Sequence, residues 1–163
     1  MPRDREIDMS LAAERAIWID APRERVWQAV TTASQLDAWY APGSTWEIPT
    51  LKVVETVKFH HMSSETLIAT IDVLDPMDEF ALRWQPDKTY PQLILVTCFM
   101  LDDEQDGTRI TICESGYEAL PDDVRQEWMD GTHAGYGMSM ENLRAYVEGR
   151  SIPHKWTPPS SQP

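Results

Sequence analysis

From residue 45 on, the hydrophobic period of this chain changes once, at Gly116, and that change restricts the fold more than any other feature. Ahead of it, apolar residues alternate with polar ones or gather in short β-branched runs. Beyond it, Met129, His133, Tyr136, Met140, Leu143 and Val147 recur at steps of three and four, which makes one apolar stripe of a helix over residues 125–148. Pro121-Asp122-Asp123 opens that helical region and Gly149 is placed to stop it. A helix of this length reaches about 35 Å, enough to lie along a whole sheet.

The segments before Gly116 supply such a sheet. Residues 12–19 read as a strand. Asp20 is placed as the N-cap of a helix over residues 21–32, with Pro22 in its first turn and Val26, Trp27 and Val30 at helical spacing. Ser34 is placed to cap a second short helix through Trp39, which Ala41-Pro42-Gly43 ends. Strand patterns follow at 45–48, 52–61, 65–74 and 79–85, the last with Phe80, Leu82 and Trp84 on one face. Residues 92–102 and 107–116 form the clearest hairpin. If Asp102 faces Arg109 across its turn, Thr97 faces Glu114 and Cys98 faces Cys113. The class is therefore α+β: a curved antiparallel sheet of about six or seven strands wrapped on a long C-terminal helix, with two short helices after the first strand.

Composition excludes several functions. The chain of 163 residues is read as a flexible arm (1–10), one domain (11–149) and a Pro/Ser-rich tail (150–163) in which Trp156 is the one residue placed to dock. No apolar run approaches a membrane span, and the first residues carry no apolar signal core, so a cytoplasmic location is expected. A net charge of −13 repels phosphate backbones and anionic lipid, so neither nucleic acid nor membrane is an expected partner. Cys98 and Cys113 are expected as reduced packing residues.

Several strings occur in this order: Ile19-Asp20-Ala21-Pro22, Arg25-Val26-Trp27, Leu36, Trp39, Ala41-Pro42-Gly43, Asp75-Pro76, Gly107-Thr108-Arg109, Glu114-Ser115-Gly116-Tyr117 and Asn142-Leu143-Arg144-Ala145-Tyr146. Together they resemble the START-like, or SRPBCC, helix-grip superfamily, and within it the homologues of the activator of the heat-shock protein 90 ATPase. The resemblance covers about residues 11–149 and implies an apolar cavity between the sheet and the last helix. Two departures stand out. Tyr136 occupies a position where the family often has a bulky Trp, with Gly135 and Gly137 flanking it. The third strand begins Lys52-Val53-Val54-Glu55 instead of with glycines. Both departures touch the expected cavity wall.

The hairpin register gives one face Leu95, Thr97, Phe99, Leu101, Ile110, Ile112 and Glu114. Glu114 then points into an otherwise apolar pocket, where a carboxyl out of water suits a general acid or a ligand anchor. The alternative is a rim carboxylate bonded to Tyr136 or His133. His133 lies on the helix stripe, as an acid–base partner of Glu114 or as a satisfied core histidine. Of His60 and His61 only one faces in. No metal-ligand spacing, nucleophile motif or cofactor fingerprint occurs, so neither metal nor cofactor is expected. Trp39, Trp46, Phe59, His61, Trp84, Thr97, Phe99, Ile112, Glu114, His133, Tyr136 and Met140 are the candidate ligand-binding residues. Binding of a small hydrophobic or lipid-like ligand is the leading expectation. The alternatives are a cyclase, dehydratase or hydrolase using Glu114 with His133, and, by resemblance alone, a chaperone-ATPase regulator. The apolar outer face of the 92–102 strand (Ile94, Val96, Cys98, Met100) is covered either by the arm or tail or by a second copy in a homodimer.

Overall fold

A computed structural model describes residues 11–155. The arm expected over 1–10 and the tail from Trp156 onward lie outside the described residues. Strand β1 (Ala13–Ile19) is followed by helices α1 (Arg23–Thr31) and α2 (Ala33–Trp39). Six strands come next: β2 (Thr45–Glu47), β3 (Thr56–His60), β4 (Thr66–Asp75), β5 (Glu79–Trp84), β6 (Val96–Glu104) and β7 (Gly107–Ser115). A 3-10 turn at Tyr117–Ala119 leads into α3 (Asp122–Val147). The seven strands form one antiparallel sheet in the order β1-β7-β6-β5-β4-β3-β2. A bulge between Ile71 and Val73 interrupts the β4–β5 ladder, a device that bends and twists a strand.

The β6–β7 register is the expected one, with Asp102 opposite Arg109, Thr97 opposite Glu114 and Cys98 opposite Cys113. Its two-residue turn is Gln105-Asp106, both at positive φ, the geometry that matches strand twist in tight hairpins. Gly107 follows because a Cβ there would stand 2.4 Å from the Ile19 carbonyl oxygen and 2.7 Å from the Trp18 ring. The end of β1 can close on the hairpin only over a residue with no side chain.

Three local expectations are corrected. Asp20 does not cap α1. Pro22 holds the N-cap position with extended backbone, and the Asp20 N–H is donated instead to Glu148 Oε2 at 2.9 Å. Likewise Thr32 precedes α2, and Ser34 falls inside its first turn with no side-chain cap bond formed at the N-cap. The strand expected from residue 52 begins only at Thr56. Lys52–Glu55 is a turn: the Val54 N–H donates to the Ile71 carbonyl of β4 at 2.9 Å, but Val54 stands at φ 67° and is largely exposed, so the turn conformation keeps these β-branched residues out of the pleat they would suit.

The main core lies between the inner sheet face and the three helices. Phe80 and Phe99 stack at 6.2 Å, and Trp39, fully buried, meets Phe99 edge-on. The Trp39 indole N–H reaches the Ala29 carbonyl at 2.9 Å, so this large ring is buried with its one polar group satisfied. On the outer face Glu79, Ala81, Cys98 and Cys113 are buried within the single chain, so its centre needs no second copy to cover it. Neither cysteine is in a disulfide, and the Cys98 thiol donates to Glu79 Oε2 at 2.9 Å. Among the described residues no helix is long and apolar enough to cross a membrane.

Candidate functional site

The register of β7 and the turn after it place one carboxylate at the centre of the molecule. Glu114 points inward from β7, opposite Thr97 on β6, and is 8% exposed. The Thr97 hydroxyl donates to Glu114 Oε2 at 2.8 Å and itself accepts the Trp84 indole N–H at 2.9 Å. Gly116, at φ 115° and ψ −1°, turns the chain back so that Tyr117, only three residues on, donates its hydroxyl to Glu114 Oε1 at 2.7 Å. From α3 the Tyr136 hydroxyl donates to Oε2, also at 2.7 Å. Thr132 Oγ1 lies 2.7 Å from the Tyr117 oxygen and donates to it, since that phenol's single hydrogen is already on Glu114. Tyr40, at the end of α2, is a hydrogen-bonding neighbour of Tyr136.

This setting holds the tyrosines in their protonated form. Burial raises the pKa of Tyr40, Tyr117 and Tyr136 well above the ordinary phenol value, and the nearby charge of Glu114 raises each further. They therefore act as fixed hydrogen-bond donors near neutral pH, not as bases.

Two chambers meet at this network. One, of about 420 Å³, lies under α3 and is lined by Tyr136, Gly135, Ser139 and Asn142 on the helix side and by Tyr40, Phe59 and His61 opposite. The other, of about 460 Å³, lies between the β3–β5 end of the sheet and residues 85–95, with Leu67, Ile68, Trp84, Leu93 and Leu95 in its wall. Tyr40, Phe59 and Glu114 line both. Their junction is walled by rings: Tyr40 contacts Trp46 and Phe59 edge-on at 5.1 and 5.6 Å, and Trp46 packs on Phe59 at 4.7 Å.

Of the candidate residues, Phe59, His61, Trp84, Glu114 and Tyr136 line these chambers. Trp39, Trp46, Phe99, Ile112 and Met140 lie in the core behind them, and Thr97 supports Glu114 from beneath. His133 is corrected. It is exposed on the shoulder of α3, and its inward neighbour Thr132 joins the network instead. A step of four from Met129 suggested His133, but no residue of α3 ahead of Tyr136 is buried, so the stripe is covered only from Tyr136 onward. The Glu114–His133 acid–base pair has no geometric basis, and His61, His133 and Glu114 do not converge as metal ligands. Gly137 likewise faces away from the chamber. A Cβ there would stand 2.6 Å from the Arg15 guanidinium, while at Gly135 it would meet nothing within 4 Å.

Sequence reasoning missed Tyr40, Thr132, Ser139 and Asn142. Asn142 carried a signal, being a buried-stripe neighbour with two donors and an acceptor. Its amide clamps the start of the tail: Nδ2 donates to the His154 carbonyl at 2.8 Å, and Oδ1 accepts the His154 N–H at 2.8 Å. His154 and Lys155 thus lie at the mouth of the α3 chamber. Replacing Asn142 with Ala is expected to lower stability by about 1–3 kcal/mol and to abolish hydrogen-exchange protection at the His154 amide. Unchanged protection there would show that the clamp does not hold the tail.

A family model described as activator of Hsp90 ATPase homolog 1-like protein matches residues 20–148. No curated protein matches the chain. Among solved structures, the Mesorhizobium loti protein MLL2253 is similar at a TM-score of 0.73 and 18% identity, over 85% of this chain and 97% of that one. An Arthrobacter aurescens protein gives 0.69 at 16% identity, over 94% and 96%. The Aha1 dimer from Colwellia psychrerythraea gives 0.65 at 18% identity, over 84% and 96%. At these identities the likeness is one of fold.

Proposed function

This chain belongs to the activator of Hsp90 ATPase homolog 1-like family, and from that membership and the shape of its interior we propose that it binds a small, mainly apolar molecule in the chamber under α3. The observation that carries the reading is the junction itself. A hydrogen-bonded carboxylate stands where a mainly apolar, ring-lined space narrows, and the few other polar groups of the wall, such as Ser139 and Asn142, lie on α3; a mostly apolar lining with a few polar groups is the usual composition of a ligand pocket. Catalysis is the weaker reading, because each hydroxyl around Glu114 is already engaged and the imidazole expected beside it is exposed on the far shoulder of the helix.

The test uses N-phenyl-1-naphthylamine, a neutral dye whose emission rises in apolar surroundings. Saturable binding at one dye per chain is expected. Gly135→Phe sets a ring in open space at the chamber wall and replaces the weaker helix former by a better one. It is expected to weaken the dye by at least about tenfold, 1.4 kcal/mol, with the melting temperature retained. Dye binding that does not saturate, or that Gly135→Phe leaves intact, would remove the chamber as the site.

A further inference from the structure

We infer that the chamber selects an organic cation: an apolar body carrying an ammonium group that seats on Glu114 at the junction with Tyr40 and Phe59. This rests on the ligand-binding reading above and adds the chemical class of the ligand.

Three observations on one residue carry it. First, Glu114 is buried, yet among the described residues no Lys, Arg or His pairs with it; its partners are the neutral hydroxyls of Thr97, Tyr117 and Tyr136. Carboxylates this deep are ordinarily matched by a countercharge. Second, the hydrogens of the groups that bond to it, and of the groups behind those, are committed inward. Thr97, Tyr117 and Tyr136 donate to Glu114, Thr132 donates to Tyr117, and Trp84 donates to Thr97. Oε2 takes two of these bonds and Oε1 one, so the open site is an acceptor site on Oε1. Beyond the Tyr40 hydroxyl a ligand that offers only acceptors finds no donor here, whereas an ammonium N–H finds both charge and geometry on Oε1. Third, the rings of Tyr40, Phe59 and Tyr136 stand around the same point. Aromatic faces attract a desolvated cation.

The other charged groups lie at the two mouths: His61, His154 and Lys155 at one, Glu65, Asp87 and Lys88 at the other. They are half-buried or exposed and are screened by salt far more than Glu114. The net charge of −13 speeds the approach of a cation without choosing its seat.

The experiment is isothermal titration of the full chain with three probes that share one ring system: 2-naphthylmethylamine, 2-naphthylmethanol and 2-naphthoate. The amine is expected to bind at least about tenfold more tightly than the alcohol, with naphthoate weakest, and to keep that rank at high salt, where attraction to the outer surface is lost. In Glu114→Gln the advantage of amine over alcohol is expected to fall to about twofold or less. Alcohol or naphthoate binding as tightly as the amine, or an amine advantage that survives Glu114→Gln, would overturn the cation assignment and leave the chamber standing. Failure of all three probes to bind would overturn both readings. Should the glutamine variant not fold, the ranking on the wild type at high salt decides alone.

Discussion

Alkali is expected to unfold this protein from the inside. Tyr40, Tyr117 and Tyr136 have folded-state pKa values raised above the ordinary value of about 10, first by burial and then by the charge of Glu114. The sign follows from linkage. Below pH of about 10 both folded and unfolded chains keep these protons, and the contribution to stability is complete. Above it the unfolded chain loses them and the folded chain does not, so stability falls as pH rises. Each such tyrosine removes about 1.4 kcal/mol per pH unit, and three remove about 4. Against a total of about 5–15 kcal/mol, the fold gives way within about one to four units above pH 10. The measurement is phenolate absorbance followed beside near-ultraviolet circular dichroism. The late absorbance step should carry three tyrosines and coincide with loss of the dichroism. Ionisation of all five tyrosines while the dichroism stays native would refute the prediction.

One methyl group is expected to do comparable damage at neutral pH. Gly116 sits at φ 115°, and a Cβ there would stand 2.4 Å from the Ile94 carbonyl oxygen, a backbone atom that cannot swing aside. The left-handed conformation alone costs an alanine about 1–3 kcal/mol. With the overlap added, Gly116→Ala is expected to destabilise the fold by about 3 kcal/mol or more. The same change displaces Tyr117 from Glu114, so the late alkaline step should shrink from three tyrosines to two. Gly131→Ala is the control. A Cβ there meets nothing within 4 Å, and alanine should stabilise the helix by about 1 kcal/mol. Denaturant midpoints for the two variants that moved together would count against this account of the turn.

The elements were legible wherever local chemistry and tertiary context agree. The Gln105-Asp106 turn sets the β6–β7 register by itself, and that register alone places Glu114 on the inner face opposite Thr97. The long helix announced itself through a stripe that the sheet buries at Tyr136, Met140 and Leu143. Legibility ended where rotation or neighbours decide. His133 and Thr132 are adjacent, and spacing in whole residues cannot tell which of them a helix turns inward. Val53 and Val54 look like strand residues, but the chain turns there with Val54 at positive φ, although its N–H still reaches Ile71 of β4. Tyr40 was overlooked because it follows the last helical residue, where no periodicity applies, although it lines both chambers. Asn142 could not be read as a clamp, because its partner is a tail whose sequence, rich in proline and serine, promises no contact.

The place of β1 in the sheet also sets an order of events during synthesis. Among the described residues its one strand partner is β7, and Ala13 stands opposite Glu114. The ribosome must add about a hundred more residues before the two can meet, which at about 5–20 residues per second is about 5–20 s. Through that interval the hairpins β3–β4 and β4–β5 can pair as they emerge, whereas the first strand to be made has nothing to pair with. Closure of the sheet edge therefore waits on the same strand that delivers Glu114, and this domain holds no finished interior until β7 and α3 have been translated.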